Sequence, residues 1–185
     1  MFCTISAGLA APRLGAQDKP APEPAKPDAT LVADFEQRVT EYQKLHKSLE
    51  SELKRLKRTP SQEKIQHHQH ELARKIREAR RTAKQGDLFT TAISAEFRRL
   101  IGAAMQGGNA TRVQTSLKNA EPVALKLHIN EAYPSNVPLQ STPPTLLLNL
   151  PKLPAEVEYR VVGHDLILLD VAAKLIVDVI PNAIP

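Results

Sequence analysis

The most constraining feature of the sequence is a heptad-spaced apolar stripe between Leu31 and Gln85, interrupted once at Thr59-Pro60. A helix with this spacing must pack its apolar seam against another helix. Because the two halves of the stripe flank a short break, we expect them to form two helices that fold back as an antiparallel hairpin. A single helix kinked at Pro60 and paired with another subunit is the alternative. The stripe residues are Phe35, Val39, Tyr42, Leu49, Leu53 and Leu56 before the break, and Ile65, Leu72, Ile76, Ala79 and Ala83 after it.

Start and stop signals give the expected bounds of these helices. The first helix is predicted over residues 31–58. The second is predicted to begin with Thr59 as N-cap, Pro60 at the first helical position and Gln62 completing a capping box. It is expected to end at Gly86, a residue suited to the C-terminal cap.

The rest of the chain is predicted to change from helices to strands. A third helix is expected over residues 92–105 and a shorter fourth over 111–119, and alternating apolar residues over 123–129 predict a half-buried strand. The Pro-rich segment 133–154 predicts irregular backbone with one helical turn. The chain ends in a predicted meander with strands at 157–162, 166–169 and 175–180. The last two strands are apolar on both faces, and the helices are their expected cover.

These elements predict an α+β fold, a long antiparallel helical hairpin plus shorter helices packed on a small, mainly antiparallel C-terminal sheet. We divide the chain into a signal-like segment and Pro-rich tether (1–30), the basic helical hairpin (31–85), and the helices and C-terminal β-meander (86–185).

The first thirty residues predict export. Residues 1–16 are rich in small and apolar side chains, and Gly8-Leu9-Ala10 fits a signal-cleavage pattern. Four prolines in the following Asp18–Thr30 segment predict an extended tether. A periplasmic or otherwise exported location is expected, or a cytoplasmic one if residues 1–16 are not a signal. No apolar run is long enough to span a membrane.

Composition and motifs argue against most catalytic classes. Aromatic residues make up only 4% of the chain and Trp is absent, which disfavours carbohydrate clefts and base-stacking surfaces. The lone Cys3 excludes an internal disulfide framework and a multi-cysteine zinc site. His70-Glu71 begins like the zinc-protease motif H-E-x-x-H, but Arg74 replaces its second histidine. No enzymatic activity and no cofactor are therefore predicted.

One pattern on the second helix could bind a metal ion. Glu63, His67 and His70 share its solvent face at i, i+4 and i+7, and such donors bind Zn²⁺, Ni²⁺ or Cu²⁺. A metal-binding periplasmic protein is therefore one alternative function. The simpler interpretation is that these polar residues fill an exposed face.

The hairpin is also basic, since residues 34–85 contain 14 Lys and Arg against 8 Asp and Glu. Such clusters could bind nucleic acid or anionic lipid headgroups, a second alternative function. The opposing interpretation is a solvated coiled-coil face with intrahelical ion pairs. The candidate anion-binding residues are Lys54, Arg55, Arg58, Arg74, Arg77 and Arg81.

Two parts of the chain resemble known proteins. Gly86-Asp-Leu-Phe89 and Phe97-Arg-Arg-Leu-Ile101, followed by the Pro/Leu segment, resemble a group of uncharacterised exported bacterial proteins with the same order of helices then hairpin. The segment from Glu158 to Asp170 followed by Leu175 to Ile180 is similar to the closing β-hairpin of periplasmic nickel/cobalt homeostasis proteins. The first resemblance implies export but no known activity, and the second carries over no metal ligands.

Together these observations predict a non-enzymatic envelope protein. Its helical hairpin is expected to act as an interaction or oligomerisation scaffold, binding a protein partner or a second copy of the chain.

Overall fold

A computed structural model describes residues 26–53, 60–106, 115, 126–134 and 142–185. Within these ranges the chain forms helices and one three-stranded antiparallel sheet with the strand order β1-β2-β3. This confirms the predicted α+β class with a small C-terminal sheet. The elements are α1 (Ala29–Ser51), α2 (Gln62–Ala79), α3 (Thr91–Ala104), the single turn α4 (Pro144–Leu147), β1 (Val157–Val162), β2 (Asp165–Asp170) and β3 (Leu175–Ile180).

Helices α1 and α2 form the predicted antiparallel hairpin. Lys75 Nζ of α2 lies 2.6 Å from Glu52 Oε2 at the end of α1. Arg80, one residue beyond α2, lies 5.1 Å from the ring centre of Tyr42. Residues later in α2 therefore contact residues earlier in α1, which shows that the two helices are antiparallel.

The hairpin differs from the sequence prediction at its ends. Helix α1 begins earlier, because the Asp28 carboxylate accepts hydrogen bonds from the N–H groups of Thr30 and Leu31. The N-cap of α2 is Ser61 and not the predicted Thr59, which lies outside the described residues. The Ser61 hydroxyl accepts from the Lys64 N–H at 3.4 Å.

The prediction that α2 continues to Gly86 is wrong. The helix ends at Ala79, and Arg80 leaves helical geometry with φ −109°. The Arg80 carbonyl instead accepts a hydrogen bond from Asn130 Nδ2 at 2.7 Å. Gly86, at φ +93°, lies in the following loop, where its N–H donates to Asp178. Tertiary hydrogen bonds therefore outweigh the local helix signal.

An aromatic cluster joins the hairpin to the rest of the fold. Phe35 of α1 stacks on Phe89 at 5.6 Å between ring centres and meets Phe97 of α3 edge-on at 5.2 Å. Tyr159 of β1 packs 6.4 Å from Phe35. The apolar seam of α1 therefore faces α3 and the sheet as well as α2.

Burial along the predicted stripe fades towards the break. Phe35, Val39 and Tyr42 are buried, Leu49 and Leu53 are partly buried, and Leu56 lies outside the described residues. On α2, Leu72 and Ile76 are fully buried, whereas Ile65 is 38% exposed and Ala79 is exposed. The C-terminal half of α2 is thus the half that packs on the core.

The second face of the sheet has its own cover. Ile167, Leu169 and Ile176 form a small core there with Tyr133 and partly buried Leu127. Residues 126–134 lie along β3, with the Tyr133 N–H donating to the Lys174 carbonyl at 2.7 Å. The expectation that only the helices cover the sheet is therefore wrong.

Two predicted elements fall partly or wholly outside the described ranges. Of the predicted strand 123–129, residues 126–129 are not in strand conformation and residues 123–125 lie outside the described part. A turn at Asn130, with φ 60°, directs the chain against β3 instead. The predicted fourth helix, 111–119, lies outside the described residues except for Thr115.

Helix α1 ends at Ser51, seven residues before the predicted end at 58, and residues 54–59 lie outside the described part. The other helix and strand predictions agree with the structure. The third helix, the single turn in the Pro-rich segment and the three meander strands are confirmed. None of the helices in the described ranges has both the length and the apolar character needed to cross a membrane.

Candidate functional site

The predicted site residues that the structure describes lie along one exposed line on α2. Positions 63, 67, 70, 74 and 77, and position 81 just beyond the helix, are spaced four and three apart and therefore project from one face. All six are exposed. We call this set the outer stripe: Glu63, His67, His70, Arg74, Arg77 and Arg81.

The structure does not form the predicted metal site from Glu63, His67 and His70. Among the described residues, no group of three or more His, Cys, Asp or Glu side chains is placed to hold a metal ion. The three positions span about 10 Å along one exposed helix, and their donor atoms are not held around a common point. The metal-binding alternative therefore gains no support from the fold.

The predicted anion-binding residues differ in their availability. Arg74 is already paired, with Nη1 2.8 Å from Glu78 and Nη2 3.1 Å from Glu71. Arg77 donates from Nε to the Ala73 carbonyl at 3.2 Å and, like Arg81, has no ion pair with a carboxylate in the described part of the chain.

The other three candidates, Lys54, Arg55 and Arg58, lie outside the described residues. Among the three candidates that the structure describes, Arg77 and Arg81, near the C-terminal end of α2, are the two without an ion pair to a described carboxylate.

A cluster of polar residues is buried between α1 and β2. The Asp170 carboxylate is fully buried, and its Oδ2 lies 2.7 Å from the Tyr42 hydroxyl and 2.6 Å from His46 Nδ1. Its Oδ1 accepts the Ala173 N–H at 2.7 Å. The other ring nitrogen of His46, Nε2, lies 3.6 Å from Glu50 Oε2. Three donors thus saturate a carboxylate that has no access to solvent.

Burial and charge shift the ionisation of this cluster. Burial, followed by the charge of Asp170, raises the pKa of Tyr42 well above its usual value. Burial alone would lower the pKa of His46, but the hydrogen bond and charge of Asp170 outweigh it, so the His46 pKa is raised overall. The cluster therefore keeps Tyr42 neutral and favours the protonated form of His46 more than an ordinary histidine would.

A second buried carboxylate fixes the loop between α2 and α3. Asp178 of β3 is fully buried and accepts from the N–H groups of Leu88 and Phe89, each at 2.9 Å. Its Oδ1 also accepts from Gly86 at 3.0 Å and Val179 at 2.8 Å. The backbone N–H groups of the loop thus donate to the buried Asp178 carboxylate. These hydrogen bonds take the place of the helical hydrogen bonds that would form if α2 continued beyond Ala79.

Arg80 lies between the two buried carboxylates. Its guanidinium donates to Asn130 Oδ1 at 3.1 Å and to the Val177 carbonyl at 3.2 Å, and stands over the Tyr42 ring. Burial lowers the pKa of Arg80, while nearby negative charges, including Asp178, oppose that shift. Arg80 therefore places a positive charge near the buried carboxylates of Asp170 and Asp178.

Sequence reasoning found only part of this cluster. The turn position of Asp170 predicts that its carboxylate accepts a backbone hydrogen bond, which the Ala173 N–H confirms. The alternation of Asp178 with Ile176 and Ile180 predicts partial burial and a hydrogen bond or an ion pair with Arg160, whereas Asp178 is fully buried and accepts from the backbone of Leu88 and Phe89. His46 was missed, although the signal was present, because position 46 continues the spacing of Phe35, Val39 and Tyr42. A histidine at a seam position indicates a buried polar partner on the facing element.

An open cleft of about 250 Å³ lies beside this cluster, between α1 and the loop that follows α2. Arg38, Glu41, Arg80 and Asp87 line it, so its walls carry both signs of charge. Arg38 is engaged there, with Nη1 donating to the Asp87 carbonyl at 3.0 Å. The cleft therefore presents no single-sign surface for a charged ligand.

No protein-family model, curated protein or solved structure matches the chain. Its function must therefore be inferred from its own residues.

Proposed function

We propose that this chain is a non-enzymatic protein of the cell envelope in which the α1–α2 hairpin binds a protein partner or a second copy of the chain. The observation that carries the proposal is the asymmetry of α2. One face is fixed to the core through Leu72 and Ile76, while the outer stripe is exposed from Glu63 to Arg81. The outer stripe is therefore a part of α2 that a partner could reach without disturbing the core.

The buried ionisable groups support a non-enzymatic role. His46, Asp170 and Asp178 are each at most 1% exposed, so a substrate could not reach them without unfolding the hairpin. Their hydrogen bonds join α1, β2, β3 and the α2–α3 loop. Groups used in this way stabilise the scaffold that positions the outer stripe.

Site-specific photocrosslinking in the native host tests the proposed surface. A photoreactive residue at Arg77, on the outer stripe, should give a discrete crosslinked species of higher mass. The matched control is Lys44, which is exposed on α1 away from the stripe and should give none. A product of twice the chain mass would identify a second copy, and light scattering of the purified protein would check it. Equal crosslinking, or none, at both positions would contradict the proposal.

Anion binding is a second candidate, favoured because neither Arg77 nor Arg81 has an ion pair with a carboxylate among the residues that the structure describes. Binding to a short oligonucleotide or to vesicles with anionic lipid should then weaken steeply with added salt. An Arg77→Ala/Arg81→Ala variant should bind less and show a smaller salt slope. Binding that does not change with salt or with the double substitution would eliminate this candidate.

Export is the part of the proposal that depends on residues 1–30, most of which lie outside the described residues. N-terminal sequencing of protein isolated from the envelope fraction should show a chain that begins after Ala10. An intact Met1 in the cytoplasmic fraction would contradict export.

A further inference from the structure

We infer that Tyr42, His46 and Asp170 form a pH-sensitive latch that holds helix α1 on the sheet, closed while the His46 ring carries both of its protons. The inference concerns how the hairpin is held and does not depend on what the hairpin binds.

The geometry places His46 between two carboxylates. Nδ1 is 2.6 Å from Asp170 Oδ2, and because a carboxylate only accepts, this bond requires a proton on Nδ1. Nε2 is 3.6 Å from Glu50 Oε2. When Nε2 is protonated the ring is a cation that interacts with both carboxylates. When that proton leaves, the Nε2 lone pair faces the negative charge of Glu50.

The two carboxylates differ in exposure to solvent. The contact of His46 with Asp170, the inner contact, therefore contributes more to stability than its contact with Glu50, the outer contact. His46 is 1% exposed and Asp170 is fully buried, whereas the Glu50 side chain is 47% exposed. Solvent screens the outer contact, so it adds little. The inner contact is desolvated, and removal of the His46 charge leaves the Asp170 charge with less compensation.

The surrounding charges do not replace the lost proton. Tyr42 donates to Asp170 but is neutral, and Arg80 above its ring is shared with Asp178. Glu156, just before β1, adds negative charge near His46 and is paired with Lys47 of α1 at 3.2 Å. Loss of the His46 proton therefore leaves the interface between α1 and β2 with excess negative charge.

The direction of the pH effect follows from the raised pKa of His46, produced by Asp170 against the opposing effect of burial. A group with a raised pKa in the folded state stabilises that state fully below its unfolded value, about 6.5 for histidine. That stability is lost as the pH rises through the folded-state pKa. The latch therefore loosens as the pH rises above 6.5.

Urea unfolding of the full chain between pH 5.5 and 9 tests the latch, with His46→Asn as the variant. Asparagine can keep a donor near the position of Nδ1 but does not titrate. Relative to this variant, the wild-type unfolding equilibrium constant should rise about tenfold for each unit by which the folded-state pKa exceeds 6.5. His164→Asn is the matched control, because that ring bonds a backbone carbonyl, and its profile should parallel the wild type. Parallel profiles for wild type and His46→Asn would overturn the inference.

A measurement on the wild-type chain decides the question if His46→Asn does not fold. Heteronuclear NMR of the histidine rings should show His46 retaining its second proton above pH 6.5, with the opening free energy of the α1 and β2 amides falling together once that proton is lost. The inference fails if His46 titrates at or below pH 6.5, or if the opening free energy of these amides does not fall.

Discussion

At the scale of single residues, the fold depends on a few buried polar groups that have several partners each. Asp170 and Asp178 are both fully buried and both accept three or more hydrogen bonds from other parts of the chain. Breaking such a site is costly because the remaining partner is left buried without compensation. We therefore expect conservative substitutions here to affect stability more than larger changes on the outer stripe.

Asp178→Asn should lower the free energy of unfolding by about 3 kcal/mol, because the new amide N–H₂ would face the inward N–H groups of Leu88 and Phe89. Urea denaturation measures the change. Asp165→Asn is the control, since Asp165 accepts a single exposed bond from Asn182 at 2.9 Å and should lose about 1 kcal/mol or less. Equal losses for the two variants would show that the α2–α3 loop is not held by Asp178.

Tyr42→Phe should cost about 2 kcal/mol of unfolding free energy, because its hydroxyl donates to a buried carboxylate. Tyr159→Phe is matched to it in chemistry and burial, but that hydroxyl donates to the Pro151 carbonyl at 3.1 Å. It should cost about 1 kcal/mol. Chemical denaturation of both variants gives the comparison, and a larger loss for Tyr159→Phe would be inconsistent with the proposed role of Asp170.

At the scale of elements, the two halves of α2 have different roles. Leu72, Ala73 and Ile76 of the C-terminal half are buried, whereas Gln62 to His67 are exposed. The N-terminal half is therefore stabilised by its Ser61 cap and by helix propensity more than by tertiary packing.

Leu72→Ala should lower the free energy of unfolding by about 3 kcal/mol, since it removes a fully buried side chain. Ile65→Ala, at a position that is 38% exposed, should cost less than about 1 kcal/mol. Thermal or urea unfolding monitored by circular dichroism gives both values. A cost at Ile65 as large as that at Leu72 would mean that the N-terminal half of α2 is packed as well.

The elements also show what sequence could and could not predict. The two hairpin helices, α3 and the meander strands followed from local apolar periodicity. The antiparallel direction of the hairpin followed from the short break at Thr59-Pro60. The end of α2 did not, because it is set by Arg80 and Asn130, which are fifty positions apart. The β-bulge in β3 was not predicted either. Leu168 pairs with Asp178 and Leu169 with Ile176, so Val177 is an extra residue, and Val177 and Asp178 lie on the same face of the sheet. Such long-range pairings leave no local pattern.

The candidate site shows the same division. The outer stripe was predictable because it depends only on helical spacing, whereas the Tyr42–His46–Asp170 cluster needs α1 to lie on β2. The sequence contains the three residues but does not indicate that they contact one another. His46 at a seam position was the one local sign of it.

At the scale of the whole molecule, the hairpin and the sheet share one main core. Phe35 of α1, Phe97 of α3 and Tyr159 of β1 belong to a single aromatic cluster, and the buried polar bonds cross the same interface. The hairpin is therefore expected to fold and unfold together with the sheet. The outer stripe then acts as a rigid surface carried by the whole domain.

Native-state hydrogen exchange of the backbone amides tests this account most directly, since it reports the stability of each element separately. We expect amides around Val39 to His46 of α1 to exchange with about the same opening free energy as those of β2, because both open only when the shared core unfolds. Exchange of the α1 amides orders of magnitude faster than that of β2 would show a helix that is not held on the sheet, and would contradict the account.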